Sequence, residues 1–271
     1  MTEVLNLTDI ARSLLLCSDA AEKAHLTRKY AAAWQTGTLA EIGKPCAPDF
    51  PARPAHPQLL APRDMPRRRA GGKVQNRTAL LHAVAHIELN AINLAWDIVC
   101  RFASDALPRS FFDDWVQVAD EEAKHFLLIN DRLEEMGTFY GSLPAHDGLW
   151  QAAEDTAHSL LARLAIVPLV FEARGLDVTP RMIEQFKGAG DAESAACLEV
   201  IYVEEIGHVA IGKKWFDWQC DQDTLEYVST WQALVRELFA GKLKPPFNDD
   251  ARRQANLTKV YYLMETEPVN G

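Results

Sequence analysis

A chain of 271 residues with 48% hydrophobic side chains is long enough to bury a substantial core, so general disorder is excluded. A formal net charge of −10 argues against a general nucleic-acid binder, because phosphate contacts need a cationic surface. Five dispersed cysteines, Cys17, Cys46, Cys100, Cys197 and Cys220, form no CxxC pair and read as buried small hydrophobes in a reducing compartment.

The N-terminal stretch MTEVLNLTDIARSLLLCSDA carries Glu3, Asp9 and Arg12, which does not suit a secretory signal. The longest apolar run, LAIVPLVF at 164–171, is less than half of the roughly 20 residues a membrane span requires. The expectation is a soluble, cytoplasmic protein with no membrane partner.

Few segments alternate at period two, whereas several repeat apolar residues at i, i+3, i+4 and i+7, so the predicted class is all-α. A first helix is expected over about 19–35 with Ser18 as its cap. Residues 43–73, rich in proline and basic side chains, predict an extended strap. Helix A is expected from about 78 to 103, and helix B from about 109 to 136 before Gly137. Helix C should span about 149–174, kinked at Pro168 and ended by Gly175. A short helix should begin with Thr179 as cap and Pro180 at its first position. Asp191 then caps helix D, which runs to about Cys220. One more helix is expected at about 223–240. Two hairpins joined by a longer connection give a four-helix bundle with one crossover, spanning 78–220. Residues 1–77 and 221–271 are its N- and C-terminal helical or extended additions.

Glu-x-x-His occurs on helix B as Glu122/His125 and on helix D as Glu205/His208. Residues three apart share a helical face, so each pair can aim two ligands at one point. Glu88 precedes Glu122 by 34 residues and Glu172 precedes Glu205 by 33, which makes the pattern an internal repeat. Each glutamate sits in an apolar stripe, for example Val84, Ala85, Ile92 and Ala95 around Glu88, and Val118, Ala119, Phe126 and Ile129 around Glu122. An isolated buried carboxylate costs several kcal/mol. Two divalent cations would cancel four carboxylates and accept two neutral imidazoles, so the predicted metal ligands are Glu88, Glu122, His125, Glu172, Glu205 and His208. A third Glu-x-x-His, Glu22/His25, has no such partner and reads as a solvated face. Carboxylate and imidazole suit iron, with manganese as the alternative, and the lack of thiolate disfavours zinc.

These six residues resemble the ferritin-like di-iron carboxylate superfamily, in which two helices each give a Glu and two give Glu-x-x-His. The runs LLHAVAHIELNAINLAWD, LAIVPLVFEARGLDVTP and IYVEEIGHVAIGKKWF also resemble a bacterial branch, the domain-of-unknown-function 455 family. The superfamily resemblance implies Glu88 and Glu172 as terminal or bridging ligands, a bridging pair that includes Glu122 and Glu205, and His125 and His208 on one metal each. It further implies an oxidoreductase or hydroxylase that uses O2 or peroxide on a small-molecule substrate, with an electron donor and no organic cofactor. The alternatives are an iron-binding ferroxidase without organic substrate, a tRNA-modifying hydroxylase and a metal-stabilised scaffold. Arg63, Arg67, Arg68, Arg69 and Lys73 of the strap keep the tRNA alternative in view, although a solvated loop is the simpler reading. A homodimer is one assembly open to such a chain. His82, His86, Asn90, Asn93 and Asp97 form a polar stripe on helix A, expected to tie that helix to the strap or to support the ligands. Tyr202 is expected as a core tyrosine or hydrogen-bonding neighbour of Glu205, Arg174 and Asp177 as an ion pair, and Trp215 and Trp218 as packing residues.

Overall fold

Long runs at helical spacing become helices throughout the chain. The computed structural model describes residues 6–66 and 73–263, so Arg67, Arg68 and Arg69 lie outside the described residues. The helices are α1 (Leu7–Leu15), α2 (Ala20–Gln35), α3 (Val74–Arg101), α4 (Arg109–Glu135), α5 (Gly148–Asp155), α6 (Leu160–Ile166), α7 (Ala173–Gly188), α8 (Ala192–Asp223), α9 (Tyr227–Leu238), α10 (Asp249–Gln254) and α11 (Lys259–Tyr262). A π-helical segment, Val167–Glu172, joins α6 to α7. Among the described residues, extended pairing is confined to an isolated bridge between Leu59 and Ala145, so the protein is all-α. Among the same residues no helix is long and apolar enough to cross a membrane.

The chain divides into two units, Met1–Glu154 with Arg181–Ile201, and Asp155–Pro180 with Tyr202–Gly271. In the first unit, α3 is buried on all faces from Leu81 to Cys100 with few exceptions, which requires neighbours on every side. It packs against α4, α1 and α2. The helix α1 occupies a stretch where the sequence reading placed none, and Asn6 caps it by accepting from the Asp9 N–H at 2.9 Å. In α2 the cap is Asp19 rather than Ser18, because the Asp19 carboxylate reaches the Glu22 N–H at 2.8 Å. The strap lies extended along α1 and α3. Ala52 N donates to Leu15 O at 2.8 Å, and Arg101 Nη2 to Pro48 O at 2.8 Å. The polar stripe of α3 ties it to its surroundings, with His82 Nε2 accepting from Gly141 N at 2.9 Å and Asp97 holding Arg101. Asp191 caps α8 through Ser194 N at 3.2 Å and pairs with Arg77 and Arg132. Burial works against its charge, but the Ser194 and Arg132 contacts outweigh it and hold the carboxyl below its ordinary value.

Cys46 and Cys100, 54 residues apart, are brought together with their sulfurs 3.5 Å apart. A thiol oxidant such as diamide is therefore expected to join them into a disulfide, taking one hydrogen from each thiol. Burial, the largest influence, raises the Cys100 thiol well above its ordinary pKa, so the reaction should be slow at neutral pH and faster in alkali. Peptide mapping by mass spectrometry without reduction checks this; crosslinks scattered among Cys17, Cys197 and Cys220 would contradict it.

In the second unit the expected helix C is broken. The turn at 156–159 separates α5 from α6, where Ser159 caps by accepting from Ala162 N at 3.2 Å. Pro168 produces a π segment rather than a simple kink, since it cannot donate an N–H and its ring crowds the turn before it. The Trp231 indole of α9 donates to Ala165 O at 3.0 Å across this wide turn.

Two further expectations fail here. Gly175 does not end a helix, and Thr179 and Pro180 do not start one, because α7 runs unbroken from Ala173 to Gly188 with Pro180 inside it. An interior proline strands the carbonyl four residues earlier. That carbonyl, Leu176 O, accepts instead from Asn248 Nδ2 at 3.1 Å, and Ala173 O accepts from Arg252 Nη2 at 3.2 Å. Asp177 pairs chiefly with Arg252, at 2.9 and 2.7 Å, and only at 3.4 Å with Arg174.

Gly212 of α8 faces Pro168, where a Cβ would lie 2.3 Å from the proline Cβ. Gly212→Ala should therefore destabilise the protein. Overpacking costs roughly 1–3 kcal/mol, which exceeds the up to ~1 kcal/mol that alanine adds to helix propensity. Thermal melting would decide, and an unchanged or higher midpoint would show that the π segment yields freely.

Candidate metal centre

Glu88 lies thirteen residues before the end of α3, and Glu122 thirteen residues after the start of α4. Each is thus about 20 Å from the connection between the two helices, so an antiparallel pair brings them to one height. Glu88 is 3% exposed, and Glu122 and His125 are 0% exposed. His125 Nδ1 lies 3.4 Å from Glu88 Oε2 and 3.4 Å from Glu122 Oε2. One ring nitrogen has at most one proton to donate, so it can serve only one of the two carboxylates. The apolar neighbours expected around both glutamates, Val84, Ala85, Ile92, Ala95, Val118, Ala119, Phe126 and Ile129, are all buried.

On α8, His208 is fully buried and its Nδ1 lies 3.6 Å from Glu205 Oε1, the Glu205 side chain being 12% exposed. Glu172 is half-buried and closes the π segment. One ligand atom from each of Glu88, Glu122, His125 and Glu205 lies within 4.8 Å of the others, and this cluster could hold a metal ion. Ligands on opposite sides of a divalent cation, each at about 2.1 Å, would be about 4.2 Å apart, so the spacing fits an ion after a small contraction. Three carboxylates and one imidazole remain net negative even with the imidazole protonated, which is the electrostatics a cation completes. Glu172 and His208 are not part of that four-residue cluster. Glu22 and His25 are both exposed, so the same spacing on α2 makes no site.

The residues that shape the segment carrying Glu172, namely Trp231, Asn248 and Arg252, were not anticipated. The one local signal was Pro180 inside an amphipathic run, which implies a displaced carbonyl partner somewhere in the chain. Tyr202 enters this network as a hydrogen-bonding residue, its hydroxyl accepting from Asn248 Nδ2 at 2.8 Å. Trp215 and Trp218 pack edge to face with ring centres 5.7 Å apart.

The structure thus defines an all-helical protein with a Glu/His cluster in its interior that could hold a metal ion. The chain belongs to the family described as Protein of unknown function (DUF455), whose model matches residues 16–263. It is 40% identical over 213 residues to a protein of Haemophilus influenzae that carries the name "Uncharacterized protein", covering 77% of this chain and 74% of that one. No solved structure matches.

Proposed function

We propose that Glu88, Glu122, His125, Glu172, Glu205 and His208 together hold two metal ions, iron or manganese, within a ferritin-like four-helix bundle. The protein then acts as an O2- or peroxide-dependent oxidoreductase on a small molecule. The observation that carries this reading is the convergence of Glu88, Glu122, His125 and Glu205 in the interior. Bound metal would supply the redox chemistry, passing electrons between substrate and oxidant. The chain's own residues have three tasks. Carboxylates neutralise the cations, the imidazoles occupy fixed positions, and the apolar walls formed by Val84, Ile92, Val118 and Ile129 keep water out. The π segment ending at Glu172 adds support, since single π turns recur at functional sites because they re-aim side chains.

Loading with ferrous iron under anaerobic conditions, followed by desalting and metal analysis, tests the site. The expected result is two irons per chain in the wild type, undiminished in Glu22→Ala. Oxygen uptake after loading separates the reactions. Uptake that ceases once the iron is oxidised indicates an iron-oxidising protein without organic substrate, whereas sustained uptake with a reductant indicates catalysis. A wild-type chain that retains less than one metal ion would overturn the proposal.

A further inference from the structure

Lys23 is 2% exposed, although the stretch around it, AAEKAH, reads as a solvated face. Its ammonium donates to Asn93 Oδ1 at 2.6 Å and to Ala52 O at 3.2 Å. Among the described residues no carboxylate pairs with it. A buried cation without a counter-charge is costly. Burial, and secondarily the nearby Arg53 guanidinium, lower its pKa to about 8, which still leaves it mostly charged at neutral pH.

Both acceptors of Lys23 line a cavity of about 40 Å³ between the strap and α3. Arg53 lines it too. Its Nη2 lies 2.6 Å from Asp147 Oδ1, while its Nη1 is buried and makes no hydrogen bond among the described residues. His86 and Tyr140 are engaged with each other at 2.8 Å, and His86 with His146 O at 3.2 Å. Asn90 Nδ2 donates to His86 O at 2.8 Å and also lies 3.2 Å from His86 Nε2, so that amide is engaged by His86. With Asn93 Oδ1 taken by Lys23, the amide nitrogen of Asn93 is left to donate. The remaining wall is apolar, formed by prolines and leucines, and no carboxylate lines it. The cavity therefore presents donors and positive charge, with its own acceptors already occupied.

We propose that this cavity binds a small planar oxyanion of the carboxylate class, held by Arg53 Nη1 and the Asn93 amide, with Lys23 as the buried counter-charge. The size agrees. One water needs roughly 10–15 Å³, so the space accommodates three or four heavy atoms. Water alone would fill the volume but leave the Lys23 charge uncompensated. The site is separate from the metal centre, because at 100° per residue His86 and Asn90 point about 160° away from Glu88 around α3.

The test uses formate as probe. Titration of 13C-labelled formate into the full chain at neutral pH and constant ionic strength should show saturable binding at one site. Arg53→Gln and Lys23→Met should each weaken that binding about tenfold or more, since charge-assisted hydrogen bonds are the strong ones. Metal content and the circular dichroism spectrum should stay as in the wild type. Because the two substitutions sit on different elements, either one that folds is decisive. Binding that fails to saturate, that survives substitution of the cation, or that is weaker than binding of tetrahedral sulfate would overturn the proposal.

Discussion

Glu122→Gln is expected to abolish stable metal loading while raising the melting temperature of the metal-free protein. Glu122 is fully buried and lies 3.4 Å from the same imidazole nitrogen that faces Glu88. The substitution keeps the shape and removes one negative charge from a group of like charges. Without metal that charge is a burden, since several kcal/mol per ion is the effective penalty of burial, and relief of about 1–3 kcal/mol is expected. At roughly 2–4 °C per kcal/mol for a chain of this size, the apo protein should melt several degrees higher. With metal the order reverses, because the wild type gains binding energy that the variant cannot. Melting curves of both proteins, with and without ferrous iron, make the comparison. If added metal stabilised Glu122→Gln as much as the wild type, the carboxylate would have no part in a site. Glu205→Ala should likewise lose at least one metal ion per chain, while Glu22→Ala on the exposed face of α2 should lose none.

Asp177→Ala should produce the largest loss of stability. The Asp177 side chain is 0% exposed and accepts from Arg252 Nε and Nη2 at 2.9 and 2.7 Å and from the Asn248 N–H at 2.8 Å. Removing it strands a guanidinium whose own exposure is 2%, and breaking such a buried pair costs about 3–5 kcal/mol. The melting midpoint should fall by roughly 6–20 °C. The damage should also spread, because Arg252 and Asn248 satisfy the Ala173 and Leu176 carbonyls of α7. Glu172 immediately precedes that stretch, so weaker metal loading should accompany the loss. Replacing both partners by apolar residues, Asp177→Leu with Arg252→Met, should recover much of the stability, since a buried pair contributes little net relative to well-packed hydrophobes. A midpoint for Asp177→Ala within about 2 °C of the wild type would show the pair to be dispensable.

The pairing of α3 with α4, and the approach of Glu88, Glu122 and His125 to one another, were legible in the sequence. Helical spacing is set by neighbours three and four residues away, and both the apolar stripe and Glu-x-x-His use that spacing. Glu88, Glu122 and His125 therefore appear where periodicity places them. Burial is what separates a site from a coincidence. The motif at Glu22/His25 is identical in spacing, yet it faces solvent because its stripe is polar. What the sequence concealed depends on partners far along the chain. Nothing near Pro180 announces that Asn248 will take the Leu176 carbonyl, and without that donor a helix would end there. Likewise Pro168 foretells a disruption, but whether it becomes a kink or a π turn depends on Trp231 at the Ala165 carbonyl and on the missing side chain at Gly212.

The amino-acid order alone thus determined the all-helical class, the long helices and the repeated acidic pattern, because these follow from interactions within a few residues. Only the tertiary structure decided that α7 runs through its proline, that Cys46 meets Cys100, and that Lys23 is buried. Each of these rests on a donor, thiol or wall supplied from tens of residues away, and local spacing carries no record of it.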